Sequence, residues 1–176
     1  FLGSASTYDQ DFGTKPRPML SPEQLRAMHA AGHEIGSHTV SHPDLRTLSP
    51  DLLRAELAQS RLDLERLIGT PVVSFAYPHG WFDRSVHDAV IAAGYVSAVS
   101  VLCGLNTAST PRHLLRRSNL GDHTTIDDFR KMLRYGGSPL GVVKATLRER
   151  AISMVAAARG RDPLDFFMQP LKRLMA

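Results

Sequence analysis

Residues 36–46 read GSHTVSHPDLR, a polar, turn-rich stretch that holds two histidines, His38 and His42, four positions apart. In a helical turn, side chains at positions i and i+4 lie on one face, so both imidazoles can reach one ion at the roughly 2.0 to 2.1 Å that zinc requires. Zinc peptidases share this spacing but need a glutamate directly after the first histidine, and Thr39 occupies that position. The spacing therefore permits a metal site that is not a peptidase site, but most such pairs are surface or capping histidines, so the flanking residues have to decide between the two.

The flanking residues place the histidine pair between two regular elements. Residues 30–37, AAGHEIGS, are typical of a helix end, a glycine stop and a short strand that runs into His38. Downstream, Ser49 and Pro50 have the N-cap and first-turn preferences of a helix, which we predict to run to Ile68. Strand ends are where α/β proteins hold functional residues, so this setting favours a site.

A second informative stretch, residues 72–80, reads VVSFAYPHG. Its β-branched and aromatic residues predict a strand over Val72–Tyr77, and Pro78-His79-Gly80 predicts the turn that follows. Asp83 then predicts the N-cap of another helix. Taken alone, this pattern predicts an ordinary strand-to-helix connection. It favours a functional site only because it follows the histidine pair along the chain.

Together the two stretches resemble two motifs of the polysaccharide deacetylase family, the NodB-like enzymes of carbohydrate esterase family 4, in its Phe-Ala-Tyr-Pro-x-Gly subgroup. The resemblance implies that His38 and His42 bind a divalent metal, with zinc expected and cobalt, nickel or manganese as alternatives. It also implies that the main-chain N–H of His79 stabilises an oxyanion. The substrate contacts that it implies come from the neighbours of this residue, namely Tyr77, Pro78 and Gly80.

Two positions depart from the family pattern. Ala76 stands where many members have an arginine that orients the catalytic aspartate, and His79 replaces a tyrosine. A main-chain donor does not depend on its side chain, so only the first departure affects the expected chemistry.

The first motif of the family, Thr-Phe-Asp-Asp, does not occur in the 176 residues. In the family it supplies the general base and the third metal ligand. We therefore expect both aspartates upstream of Phe1, and a deacetylase domain that is truncated at its N-terminus and inactive alone. Asp9 and Asp11 lie in a polar loop, residues 4–18, and we expect them at the surface.

The resemblance implies a metal-dependent hydrolase that removes N-acetyl or other acyl groups from a carbohydrate. An alternative from another class is a non-catalytic carbohydrate-binding or scaffold module that keeps the deacetylase fold, which Ala76 favours. A third interpretation is a purely structural ion, whose fourth coordination position would be closed.

Helix and strand patterns alternate along most of the chain, which predicts an α/β fold with a mostly parallel sheet. The predicted helices run from Pro22 to about Ala31, from Ser49 to Ile68, from Asp83 to about Ala93 and from Ile126 to about Arg134. A further strand is predicted over Tyr95–Val101. The resemblance implies a distorted (β/α) barrel that lacks its first strand or strands, with Leu114–Arg117 as the closing strand.

Three further residues with reactive side chains have no assigned role. His113 and His123 do not match the general-acid motif of the family, and we expect both in exposed loops. Cys103 is the only cysteine, so it cannot form an internal disulfide, and we expect it to be buried.

A basic helical extension is predicted over residues 139–176, beyond a deacetylase-like domain over residues 1–138. Residues 141–176 hold seven Lys or Arg and three Asp or Glu, and therefore account for the whole net charge of +4. Two amphipathic helices are predicted there, over Leu140–Arg159 and Leu164–Met175. We expect them to pack on the domain or on a partner, with peripheral contact to an anionic membrane as the alternative.

Composition limits the other classes of partner. No stretch approaches the roughly 20 apolar residues that a membrane-spanning helix needs. The basic residues are not interleaved with base-stacking aromatics, which argues against nucleic-acid binding. Which saccharide is bound, where the protein is located and how it oligomerises are not determined by these patterns.

Overall fold

Three helices begin at the residues that the sequence pattern selects. The computed structural model describes residues 19–121, 123–137 and 139–166. Within them, helix α1 spans Pro22–Ala30, α2 spans Pro50–Ile68 and α3 spans Arg84–Ala92. In each case the residue before the helix accepts a main-chain N–H of the first turn through its side chain, and these residues are Ser21, Ser49 and Asp83. The three predicted helices and their caps are confirmed.

Two short parallel strands lie at the centre of the sheet. Strand β1 spans Ser74–Ala76 and β2 spans Ser97–Val99, with Phe75 opposite Ala98. Both strands are shorter than predicted. One reason at the end of β1 is Pro78, which has no N–H to donate to a ladder.

Single bridging residues extend the parallel arrangement on both sides. Ser37 pairs with Phe75, and Leu115 pairs with Val99. The strands predicted to enter His38 and to close the sheet near Leu115 are therefore each reduced to one bridging residue. Leu115 follows a 3-10 turn over Arg112–Leu114.

The order of these segments follows the order of the chain. Ser37, β1, β2 and Leu115 are successive neighbours, and α2 and α3 connect the first three of them. This is the predicted alternation of helices with parallel strands. The strands of the described residues do not form a closed ring, so the barrel and its missing first strand stay predictions.

The core lies between α2, α3 and the two strands. One cluster of buried side chains contains the apolar stripe of α2, namely Leu53, Leu57 and Leu64. The same cluster contains residues from the strands and from α3, namely Phe75, Ala98, Val86 and Val90. Full burial of a leucine, valine or phenylalanine side chain contributes about 1.5 to 3 kcal/mol, so this cluster holds the sheet end in place.

Two further helices follow the sheet. Helix α4 spans Ile126–Tyr135, where Thr125 and Asp128 form a reciprocal capping box and Gly136 ends the helix with a φ of 76°. Helix α5 spans Pro139–Ala158. Both agree with the predicted helices to within a residue or two.

The second helix predicted in the extension falls mostly on residues 167–176, which lie outside the described residues. Its described beginning is a 3-10 turn, Pro163–Phe166. Leu164 joins the main core cluster, and Asp162 forms an ion pair with Arg84 of α3 at 2.8 Å. The boundary near residue 138 stays a prediction, and none of the described helices is long and apolar enough to cross a membrane.

The environments of Cys103 and His113 differ from the prediction. Cys103 is exposed, because it lies in a surface loop after β2. His113 is partly buried, and its Nε2 atom lies 2.8 Å from the main-chain oxygen of Tyr95. The expectation of an exposed His123 is confirmed.

Candidate metal and active site

The loop between His38 and His42 is not the helical turn that their spacing predicts. Thr39 has a φ of 67° and His42 a φ of 59°, so two residues with Cβ atoms adopt the left-handed conformation. The two imidazole rings nevertheless meet, with centroids 4.7 Å apart and ring planes at 66°. The helical geometry assumed from the sequence was wrong, and a strained loop brings the same two residues together.

Hydrogen bonds within the loop stabilise this conformation. The Thr39 hydroxyl donates to the His38 carbonyl at 2.5 Å and accepts the His42 N–H at 3.1 Å. Left-handed backbone costs an L-residue roughly 1 to 2 kcal/mol. Thr39 and His42 are both buried, so their neighbours hold them in this strained form.

The imidazole of His38 is oriented by a main-chain carbonyl. Its Nδ1 atom lies 2.7 Å from the oxygen of Ala76, at the end of β1. A carbonyl only accepts, so the proton of the neutral ring lies on Nδ1 and the lone pair lies on Nε2. Burial lowers the pKa of His38 to about 4. At neutral pH this side chain is therefore an uncharged donor of one nitrogen lone pair, the form that binds metals.

A third histidine approaches the pair from the second stretch. His79 lies in the 3-10 turn Pro78–Gly80 with a φ of 55°. Its ring centroid is 4.5 Å from that of His42, with the ring planes at 63°. The family motif implies a role for the main chain of His79 alone, and the fold adds its imidazole to the same cluster.

The ring contacts extend from His79 to Trp81 and Arg46, two residues that the sequence motifs do not predict in the site. Trp81 stacks on His79 with centroids 4.5 Å apart, and the guanidinium of Arg46 lies 4.9 Å from the centre of a Trp81 ring. Arg46 also binds the carboxylate of Asp44 through Nε at 2.8 Å and Nη2 at 2.6 Å. These bonds hold the pKa of Asp44 below its usual range.

A signal for part of this rim was present in the sequence. Asp44 and Arg46 belong to the stretch that contains the histidine pair, and Trp81 directly follows the second turn. The contact of Arg46 with Trp81 depends on the sheet, which sets the two turns side by side. No local pattern encodes that distance.

The nitrogen donors fit a divalent metal, but they do not complete its site. Imidazole suits zinc and its competitors, and a tetrahedral catalytic zinc takes three protein ligands. Within residues 19–121, 123–137 and 139–166, no group of three or more His, Cys, Asp or Glu side chains could hold an ion. His38 and His42 can therefore provide two ligands, and a third is not provided by the described residues.

The three residues predicted to contact substrate, Tyr77, Pro78 and Gly80, are all buried. The Tyr77 side chain is fully buried and its hydroxyl donates to the His113 carbonyl at 3.0 Å, and burial raises its pKa. Pro78 is also buried. Gly80 has a φ of 71°, and an added Cβ would lie 2.3 Å from a methyl carbon of Val101. Their substrate role stays a prediction, and it would have to involve main-chain atoms at Tyr77.

The sequence holds no copy of the Thr-Phe-Asp-Asp motif that supplies the catalytic aspartate in the family. Asp9 and Asp11, for which we expected a surface loop, lie outside the described residues. The histidine cluster therefore has no base assigned to it.

Comparison with known proteins places this arrangement in a family. The family model described as "Polysaccharide deacetylase" matches residues 4–98, which is more than half of the chain. The chain belongs to the polysaccharide deacetylase family. The matched range includes all three histidines of the cluster, His38, His42 and His79.

Individual members of the family and other proteins show similarity over parts of the chain. A gellan lyase from a Bacillus species is 40% identical over 78 residues, which cover 44% of this chain and 3% of that protein. Chitin deacetylase 1 from Cryptococcus neoformans is 30% identical over 83 residues, which cover 47% of this chain and 18% of that protein.

A solved polysaccharide deacetylase from Bacillus cereus has the same fold. Its structure aligns with a TM-score of 0.60 and 27% identity over 68% of this chain and 38% of that chain. The chain thus spans less than two fifths of the length of each of these three proteins. The deacetylase-type fold is shown, whereas the activity of the whole protein is a matter for proposal.

Proposed function

We propose that this chain is part of a metal-dependent hydrolase that removes N-acetyl or other acyl groups from a carbohydrate. The observation that supports it most is the geometry of His38, whose Nδ1 atom is bound to Ala76 while its ring faces His42. Family membership gives the reaction class, because relatives named as deacetylases share this part of the chain.

In this proposal His38 and His42 hold the ion, and the third ligand is an aspartate from the first motif of the family. A bound divalent ion would polarise the acyl carbonyl and lower the pKa of a bound water. Zinc suits two imidazoles and one carboxylate, and cobalt, nickel and manganese are the competitors.

The residues of the chain have defined tasks in this reaction. The neutral His38 ring keeps its proton on Nδ1 because Ala76 accepts it, so this histidine serves as a ligand and not as a proton donor. The main-chain N–H of His79, at the turn that follows β1, stabilises the oxyanion of the tetrahedral intermediate. An aspartate outside the described residues takes the proton of the attacking water.

The proposal is tested by metal binding and acetate release together. We expect the 176-residue chain to bind Zn²⁺ in calorimetry with one site, and His38→Ala with His42→Ala to abolish it. We expect no acetate release from N-acetylated chito-oligosaccharides by the chain alone, because its base is not among these residues. Release by the metal-loaded chain would show that a carboxylate of this chain is the base. Absence of Zn²⁺ binding even at millimolar concentrations would overturn the assignment of His38 and His42 as metal ligands.

A second candidate is a non-catalytic carbohydrate-binding or scaffold module with the same fold. Ala76 favours it, because the residue lacks the side chain that orients the catalytic aspartate in many members. This module would bind N-acetylated oligosaccharides equally well with and without Zn²⁺, whereas the hydrolase would need the ion for its reaction.

A further inference from the structure

Helix α2 contacts the histidine-bearing loop from one face. Glu56 and Ser60 lie four positions apart on this helix, so their side chains project in the same direction. The Oε2 atom of Glu56 accepts the main-chain N–H groups of Val40 and Ser41 at 2.8 and 3.0 Å. Its Oε1 atom accepts the Ser41 hydroxyl at 2.6 Å. One carboxylate therefore binds three donors on two of the three residues between the histidines.

Ser60 provides the second contact. It is buried, and its hydroxyl oxygen lies 2.8 Å from that of Ser37, the residue before His38. The Ser60 hydroxyl also donates to the Leu57 carbonyl at 3.1 Å, which fixes it on its own helix. Helix α2 thus holds the chain on both sides of His38.

The loop needs such support because its backbone is strained. Thr39 and His42 have left-handed conformations that L-residues rarely adopt, and the bonds within the loop involve only these residues and His38. Hydrogen bonds to a carboxylate are stronger than bonds between neutral groups, and Glu56 makes three. They tie the middle of the loop to a helix whose leucines lie in the core.

We propose that Glu56 is a positioning residue, which fixes the loop so that the rings of His38 and His42 face one ion. The inference rests on the proposed function, since it concerns the same two ligands. Outer partners of metal ligands typically contribute 10- to 100-fold in metal affinity, and Glu56 acts through the main chain between the ligands.

The test compares three variants of the 176-residue chain. Glu56→Ala removes both acceptor oxygens and so all three hydrogen bonds, whereas Glu56→Gln keeps an oxygen acceptor and the shape of the side chain but loses the charge. Asp63→Asn is the matched control on α2, because its carboxylate contacts Gln59 and Arg66 and not the loop. The measurements are amide hydrogen exchange at Val40 and Ser41, the nuclear Overhauser effect between the two imidazole rings, and Zn²⁺ affinity by calorimetry.

In Glu56→Ala we expect at least tenfold faster exchange at both amides, a weakened ring-to-ring effect and Zn²⁺ affinity lower by about 10- to 100-fold. Glu56→Gln should recover a large part of each loss, and Asp63→Asn should match the unmodified chain. A Glu56→Ala protein that keeps its ring contact or its Zn²⁺ affinity would overturn the inference.

Two further results remain informative. If Glu56→Ala does not fold, Glu56→Met decides, because it removes both acceptor oxygens but keeps the length of the side chain, and unchanged exchange at Val40 and Ser41 in that variant contradicts the inference. If the unmodified chain binds no Zn²⁺ even at millimolar concentrations, the assignment of His38 and His42 as ligands in the proposed function fails, and the exchange and ring measurements on the metal-free chain still support or overturn the role of Glu56 in fixing the loop.

Discussion

The Nδ1 atom of His38 lies 2.7 Å from the main-chain oxygen of Ala76. Ala76 is itself held by the first stretch, because its N–H donates to the Ser37 carbonyl at 2.9 Å. Residue 76, where many family members have an arginine, thus orients His38 through its own main-chain carbonyl. Loss of that arginine side chain leaves this bond intact, since it uses no side-chain atom of residue 76.

The first prediction concerns the two proposed metal ligands. We expect His38→Gln and His42→Gln each to lower Zn²⁺ affinity by more than the roughly 100-fold that loss of an outer partner costs, because a first-sphere nitrogen is removed. Calorimetric titration of the chain measures this. His33→Gln is the matched control, since His33 is exposed in the loop after α1 and should leave the affinity unchanged. Equal loss in all three variants would point to general destabilisation instead.

A second prediction uses Trp81, which is the only tryptophan of the chain. Its ring stacks on His79, whose ring contacts His42. Zn²⁺ binding at His42 should alter this stack and so change the emission of the indole. We expect a saturable change in intrinsic fluorescence at the same concentrations as in calorimetry, and none in His42→Gln. Emission that stays constant while calorimetry shows binding would place the ion elsewhere.

The third prediction separates backbone strain from steric conflict at two glycines with nearly the same φ. Gly69 has a φ of 74° with nothing near an added Cβ, whereas Gly80 has a φ of 71° with Val101 in the way. We expect Gly69→Ala to lower the free energy of unfolding by about 1 kcal/mol, and Gly80→Ala by about 3 kcal/mol, because overpacking adds to the strain.

Urea denaturation measures both changes. Val101→Ala is the second-site test, and it should recover part of the loss in Gly80→Ala because it removes the methyl carbons that the new Cβ meets. Equal destabilisation by the two glycine substitutions would mean that the backbone at Gly80 yields to the clash.

The fourth prediction concerns pH and Glu65, far along α2 from the histidines. Its Oε1 atom accepts the Val72 N–H at 3.0 Å and the Arg61 Nε–H at 2.9 Å. The bond from Val72 is the main reason why the pKa of Glu65 is lowered. A carboxyl group with a lowered pKa in the folded state stabilises the protein above its unfolded pKa, and this contribution disappears as pH falls through the folded pKa.

We therefore expect Glu65→Gln to cost about 1 kcal/mol in free energy of unfolding at pH 7, and the difference from the unmodified chain to shrink as the solution is acidified below about pH 4.5. Denaturation at a series of pH values measures this. Asp63→Asn, in the same helix, should show a much smaller effect, since its partner Arg66 is exposed. If the destabilisation by Glu65→Gln does not change with pH, its cause is lost packing and not the lost charge of Glu65.

Helix limits were the most predictable part of the fold. Ser21, Ser49, Asp83 and Thr125 each accept a first-turn N–H, and this bond needs only neighbours in sequence. Strand lengths were less predictable, because a ladder requires a partner that lies far away in the chain. The exposure of Cys103 was missed for the same reason, since it depends on how the loop after β2 packs.

For the site, the sequence predicts His38 and His42 as metal ligands, because the motif that contains them is long enough to resemble a family. Only the fold shows that a left-handed loop and not a helical turn brings them together, that the rings of His79 and Trp81 extend the cluster, and that Glu56 and Ala76 bind the loop and the His38 ring. A residue type and its spacing are local properties, whereas these contacts form only after parallel strands set distant turns side by side.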